Sequence, residues 1–99
     1  MRKVVAVTAA FLALAAGQAW AQDARYMAAV CANCHGTDGK AVSGGAVAGL
    51  AGLSRSYFIE QMTAFKTDKC RATIMHQIAK GFTDQQIAVL ADYFSAQKK

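Results

Sequence analysis

The chain contains no proline, and only three cysteines, two histidines and six acidic side chains in 99 residues. Each shortage removes a class of protein. Without proline, no loop is stiffened by a ring that restricts the chain before it folds. No alternating apolar run marks a strand, so a thioredoxin-like setting for a cysteine pair is absent. Cys70 and His76 are the only Cys and His outside one short cluster, and they lie six positions apart. That is not the spacing of a zinc knuckle, so a structural zinc site lacks its second close-set pair. Without Arg2 and Lys3, nine basic side chains face six acidic ones. This excess could steer docking to an acidic partner surface but is too small to argue for nucleic acid. Lys98 and Lys99 read as a solvated tail. Paired catalytic residues are missing as well, which disfavours an enzyme.

What the chain does have is Cys31-Ala32-Asn33-Cys34-His35. Two thiols spaced two apart and followed at once by histidine form an attachment site for a c-type haem. Each thiol adds across one vinyl group of the porphyrin, so both must face one macrocycle edge. The histidine directly after the second thiol can then reach beneath the ring and bind the iron through its imidazole. Cys31 and Cys34 are therefore the candidate thioether positions, and His35 the proximal iron ligand.

Arg2 and Lys3 open the chain, and Val4 to Ala16 is apolar except for Thr8. Ala19-Trp20-Ala21 then offers a small-x-small cleavage site, so residues 1–21 read as a cleaved signal peptide. The apolar run is too short for a comfortable membrane span, and no stable membrane insertion is expected after cleavage. Covalent haem attachment in bacteria takes place outside the cytoplasm, so leader and motif both point to the periplasm. Residues 22–99 form one small domain, of a size that rarely holds a core without a staple. A covalently held porphyrin is such a staple.

The periodic segments read as helices, making an all-α domain of short helices wrapped around the haem. Asp23 can cap a first helix reaching about Ala32, whose end delivers the cysteines. Residues 36–52 are rich in glycine and predict an ordered loop along the porphyrin, anchored by Val47, Leu50 and Leu53. Ser54 or Ser56 caps a second helix to about Lys66, with Phe58, Met62 and Phe65 on its buried face. A third segment, Arg71 to Lys80, stops at Gly81. Thr83 and Gln86 form a capping box, and the last helix runs to about Ala96. Its apolar stripe is Ile87, Leu90, Ala91 and Phe94, with Tyr93 on the flank.

A thioether opposite His35 would be a soft, neutral ligand favouring ferrous iron. Met27 lies four residues before Cys31, poorly placed to reach the far face of the ring. Met62 falls in an aromatic stripe, where methionine commonly fills a core gap. Met75 stands forty positions beyond His35, enough chain to wrap around the plate. His76 is the competing ligand, but a helical neighbour of Met75 points about 100° away from it, which suits a rim histidine.

On these residues the chain resembles the class I c-type cytochromes. The attachment motif, Leu50-Ala51-Gly52-Leu53, Tyr57 to Met62, Thr73 to Gly81 and Asp92-Tyr93-Phe94 carry the resemblance. The last two segments are similar to the cytochrome subunit of flavocytochrome c sulfide dehydrogenases. The resemblance implies one haem c on Cys31 and Cys34, with His35 and Met75 as axial ligands. It also implies an electron-transfer protein, not catalytic alone, that accepts electrons from a flavoprotein subunit oxidising sulfide. A free-standing periplasmic shuttle to a respiratory oxidase or reductase is the alternative. An open distal site, as in a haem enzyme or gas sensor, would require Met75 not to coordinate. The chain departs from the family where prolines usually stand, around Ala46 to Ala48 and near Arg71. The loop proline's carbonyl ordinarily holds the proximal imidazole, and another backbone carbonyl could do so here. Cys70 is left over once the haem thiols are used, either as a tolerated thiol or as one half of an intermolecular disulfide.

Overall fold

The computed structural model describes residues 23–99, and the leader expected over residues 1–21 lies outside them. The described residues form four α-helices and one 3-10 turn, with no strand. Helix α1 covers residues 23–35. It runs past the expected end at Ala32, so both thiols and the imidazole of the motif lie on its final turns. A 3-10 turn follows at Thr37–Gly39, and a loop leads to α2, Arg55–Lys66.

Ser54 is the cap of α2, its Oγ accepting from the Tyr57 amide at 3.3 Å. Such a side-chain oxygen satisfies one of the amide donors that a helix start leaves free. Phe58 and Met62 are buried, and Phe65 packs on the same core from a half-buried position. Helix α3, Met75–Lys80, is shorter than the periodicity of Arg71 to Lys80 suggested. The chain between the two helices first folds back, with the Lys69 and Cys70 amides both donating to the Ala64 carbonyl. Ile74 then precedes α3 with no side chain capping the helix. Asp68 turns this corner at φ 57, a left-handed conformation that aspartate adopts more readily than most residues.

Helix α4, Asp84–Ser95, starts at the expected capping box. The Gln86 amide donates to Thr83 Oγ1 at 3.1 Å, and the Thr83 amide to Gln86 Oε1 at 2.9 Å. Ile87, Leu90, Ala91 and Phe94 form the centre of the core, none more than 1% exposed. Helix α2 packs against both α3 and α4. The Phe58 and Phe94 rings stack with centroids 5.6 Å apart, and Ala28 brings α1 into the same cluster. Three surface ion pairs lie outside this core: Arg55–Asp92, Lys66–Asp84 and Lys80–Asp68.

Candidate functional site

Cys31 and Cys34 both sit near the C-terminal end of α1, three residues apart and therefore on one side of the helix. Cys31 is half-buried and packs on the core, and burial pushes its thiol above the ordinary range. Cys34 is exposed, as is Val30 four residues before it. His35 ends the helix, and the next residue reverses the chain. Gly36 has φ 87, and a Cβ there would stand 1.8 Å from the Lys40 carbonyl oxygen. Only glycine fits that turn.

The reversal carries the loop back over His35. Its Nδ1 lies 2.6 Å from the Ala48 carbonyl oxygen, which can only accept, so Nδ1 carries the proton. The carbonyl that sequence reasoning left unnamed is thus Ala48's. The bond leaves the Nε2 lone pair free for a metal and sets the plane of the ring. Two amides hold the Ala48 strand of the loop in place: Leu50 and Ala51 both donate to the Gly39 carbonyl, at 2.7 and 3.0 Å. The Gly52 amide donates to the Phe94 carbonyl at 2.9 Å, tying the loop to α4. Leu50 and Leu53 pack on the core as expected, but Val47 is 44% exposed and is not an anchor among the described residues.

Met75 begins α3, half-buried, and packs on the same core as Cys31. Met62 is 6% exposed, in the gap-filling role its aromatic neighbours suggested. Met27 packs against the core from α1, on the side of the attachment motif. His76 departs from the expected rim position. It is half-buried, and its Nδ1 is enclosed without a hydrogen-bond partner among the described residues. Cys70 is also half-buried, its thiol donating weakly to the Arg71 carbonyl at 3.8 Å.

One contact had no counterpart in the sequence reading. Tyr93 donates its hydroxyl to Asp38 Oδ1 at 2.5 Å, joining α4 to the turn just after His35. The Gly-Thr-Asp-Gly run marks a turn, but nothing local names a partner 55 residues away.

The donor set fits a covalently held haem. Two neighbouring thiols, a nearby imidazole in the tautomer that frees Nε2, and a soft thioether are what that group requires. Comparison with known proteins agrees. A family model described as Cytochrome c matches residues 15–98. The cytochrome subunit of sulfide dehydrogenase from Chlorobaculum tepidum is 36% identical over 69 residues, covering 70% of this chain and 61% of that protein. Cytochrome c4 from Pseudomonas aeruginosa is 39% identical over 87 residues, 88% of this chain and 42% of that protein. Cytochrome c-554(548) from Halomonas halodenitrificans is 32% identical over 71 residues, 69% of this chain and 84% of that protein. The chain therefore spans less than two thirds of the length of the first two.

Proposed function

The chain belongs to the cytochrome c family and binds haem c covalently; from that premise we propose that it is a periplasmic one-electron carrier reduced by a flavoprotein that oxidises sulfide. The observation that carries the reading is the His35–Ala48 bond at 2.6 Å, beside Cys31 and Cys34 on the same helix end. Cys31 and Cys34 form the two thioether links, and His35 Nε2 and the Met75 sulfur take the two axial positions. Residues 1–21 are removed on export, and residues 22–99 act as the cytochrome domain.

The haem supplies a one-electron couple at its iron. The protein's part is to hold that couple steady. Ala48 fixes the imidazole and strengthens it as a donor, which favours ferric iron. A neutral sulfur from Met75 and the apolar core of Phe58, Met62 and Phe94 favour the less charged ferrous state. In this reading electron transfer itself is the activity, in keeping with the cytochrome c family. The sulfide assignment follows the similarity to the Chlorobaculum tepidum subunit. A second reading, a free-standing shuttle to a respiratory oxidase or reductase, draws on the relative of which this chain covers 84%.

The test mixes matured protein with a sulfide-oxidising flavoprotein and follows the haem absorption after sulfide is added. Reduction that needs both flavoprotein and sulfide, and a complex on size exclusion, are the expected results. Rapid reduction without a lasting complex favours the shuttle. A polypeptide whose mass shows no added haem sinks both.

A further inference from the structure

His35 and its carbonyl partner hang from the same turn. Gly36, Asp38 and Gly39 all have positive φ, so residues 36–39 form a tight left-handed corner. On one side the corner continues α1 and His35. On the other, the Gly39 carbonyl takes the Leu50 and Ala51 amides and so fixes the strand that presents Ala48. Whatever holds the corner sets the distance between the imidazole and its acceptor.

Helix α4 holds it in two places. The Phe94 ring lies so close to Gly39 that a Cβ there would come within 2.8 Å of Phe94 Cδ1. The Tyr93 hydroxyl donates to Asp38, which sits at φ 54 in a region aspartate tolerates at some cost. That hydrogen bond is the main cause raising the Tyr93 phenol above its ordinary range, so the hydroxyl stays protonated as a donor. Tyr93 and Phe94 share an edge-to-face contact, with ring centroids 5.3 Å apart.

We infer that Tyr93 is a positioning residue for electron transfer: through Asp38 it clamps the corner that sets the His35–Ala48 hydrogen bond. This rests on His35 being the proximal ligand. Loosening the clamp weakens the Nδ1–H bond, makes the imidazole a poorer donor and destabilises ferric iron. The reduction potential then rises. A through-space effect would do the reverse, because the Asp38 charge, freed from its hydroxyl partner, favours the ferric state.

The experiment uses haem-loaded protein: wild type, Tyr93→Phe, Asp38→Gly and Asp38→Asn, with Tyr26→Phe as the control at an exposed tyrosine. Two quantities are read, the exchange rate of the His35 Nδ1 proton in the ferrous protein by NMR, and the potential by redox titration. Tyr93→Phe and Asp38→Gly should speed the exchange by about tenfold, the loss of one positioned hydrogen bond. Asp38→Asn keeps an acceptor and tolerates the left-handed φ, so it should exchange like wild type. Tyr93→Phe should also raise the potential, and Tyr26→Phe should change neither. Wild-type exchange in Tyr93→Phe, or a lowered potential, overturns the inference. Should Tyr93→Phe fail to fold, the Asp38→Gly and Asp38→Asn pair decides by the same exchange rates. If His35→Ala leaves the wild-type spectrum intact, it is the ligand assignment that has failed.

Discussion

The two segments that flank the proposed haem ligands, His35 and Met75, are held by different means. After His35, residues 36–53 are fixed by backbone hydrogen bonds and by contacts with the centre of the core at Phe94. Before Met75, the corner at residues 67–70 folds back by backbone bonds to Ala64 and is braced by Lys80 on Asp68, whose side chains are 41% and 61% exposed. Exposed ion pairs contribute little and are screened by salt. On that basis the histidine side is expected to be the more rigid half of the proposed site and the methionine side the more exchangeable half. This asymmetry matters for an electron carrier because ligand loss opens a coordination position and changes its chemistry.

The largest effect that could break this comparison lies at Gly36. Gly36→Ala sets a Cβ against the Lys40 carbonyl and imposes a φ of 87 on an L residue. Left-handed strain costs about 1–2 kcal/mol and overpacking about 1–3 kcal/mol, so the total is about 2–5 kcal/mol. Urea denaturation of the haem-loaded protein measures it. A loss under 1 kcal/mol would mean that the corner yields, and the rigid half would not be rigid.

A paired substitution sharpens the contrast between the methionines. Met62→Ala should lower stability by about 2–5 kcal/mol while leaving the visible spectrum unchanged, since its side chain is buried away from solvent and fills the core. Met75→Ala should lower stability less, because that residue is only half-buried. It should abolish the long-wavelength ferric band that reports methionine coordination and let carbon monoxide bind the ferrous protein. If Met62→Ala removes the band instead, the two roles are exchanged.

The helices were legible where the signal is local. The Thr83–Gln86 box and the Ile87, Leu90, Ala91 and Phe94 stripe lie within one helix, and both stand as read. The attachment motif is equally local. What escaped is what depends on chain reversal. Which carbonyl meets His35 is not written locally: the resemblance points only to the Ala46 to Ala48 segment, and the turn at Gly36–Gly39 brings Ala48 itself to the ring. Tyr93 on Asp38 escaped for the same reason, across 55 residues. The start of α3 was misplaced because the pattern from Arg71 onward is apolar enough for a helix, while the Lys69 and Cys70 amides are committed to Ala64. Val47 is read as an anchor from its hydropathy alone, which cannot distinguish a buried apolar side chain from an exposed one.

The smallest effect probes the exchangeable half through its ion pair. Lys80 holds the Asp68 carboxyl below its ordinary range, chiefly by hydrogen bonding. A depressed carboxyl contributes stability that is fully present above its unfolded pKa, about 4, and is lost as pH falls through the lower folded value. Asp68→Asn should therefore lower the temperature at which the long-wavelength band disappears at neutral pH, by a small and salt-sensitive amount. The difference from wild type should shrink as the pH falls below about 4 and vanish once it passes the lower folded value, where Asp68 is itself neutralised. Because asparagine keeps the left-handed φ available at position 68, the corner survives and the charge alone is removed. A large effect at high salt would assign Asp68 a role in the backbone fold of the corner, and the methionine side would then be as firmly built as the histidine side.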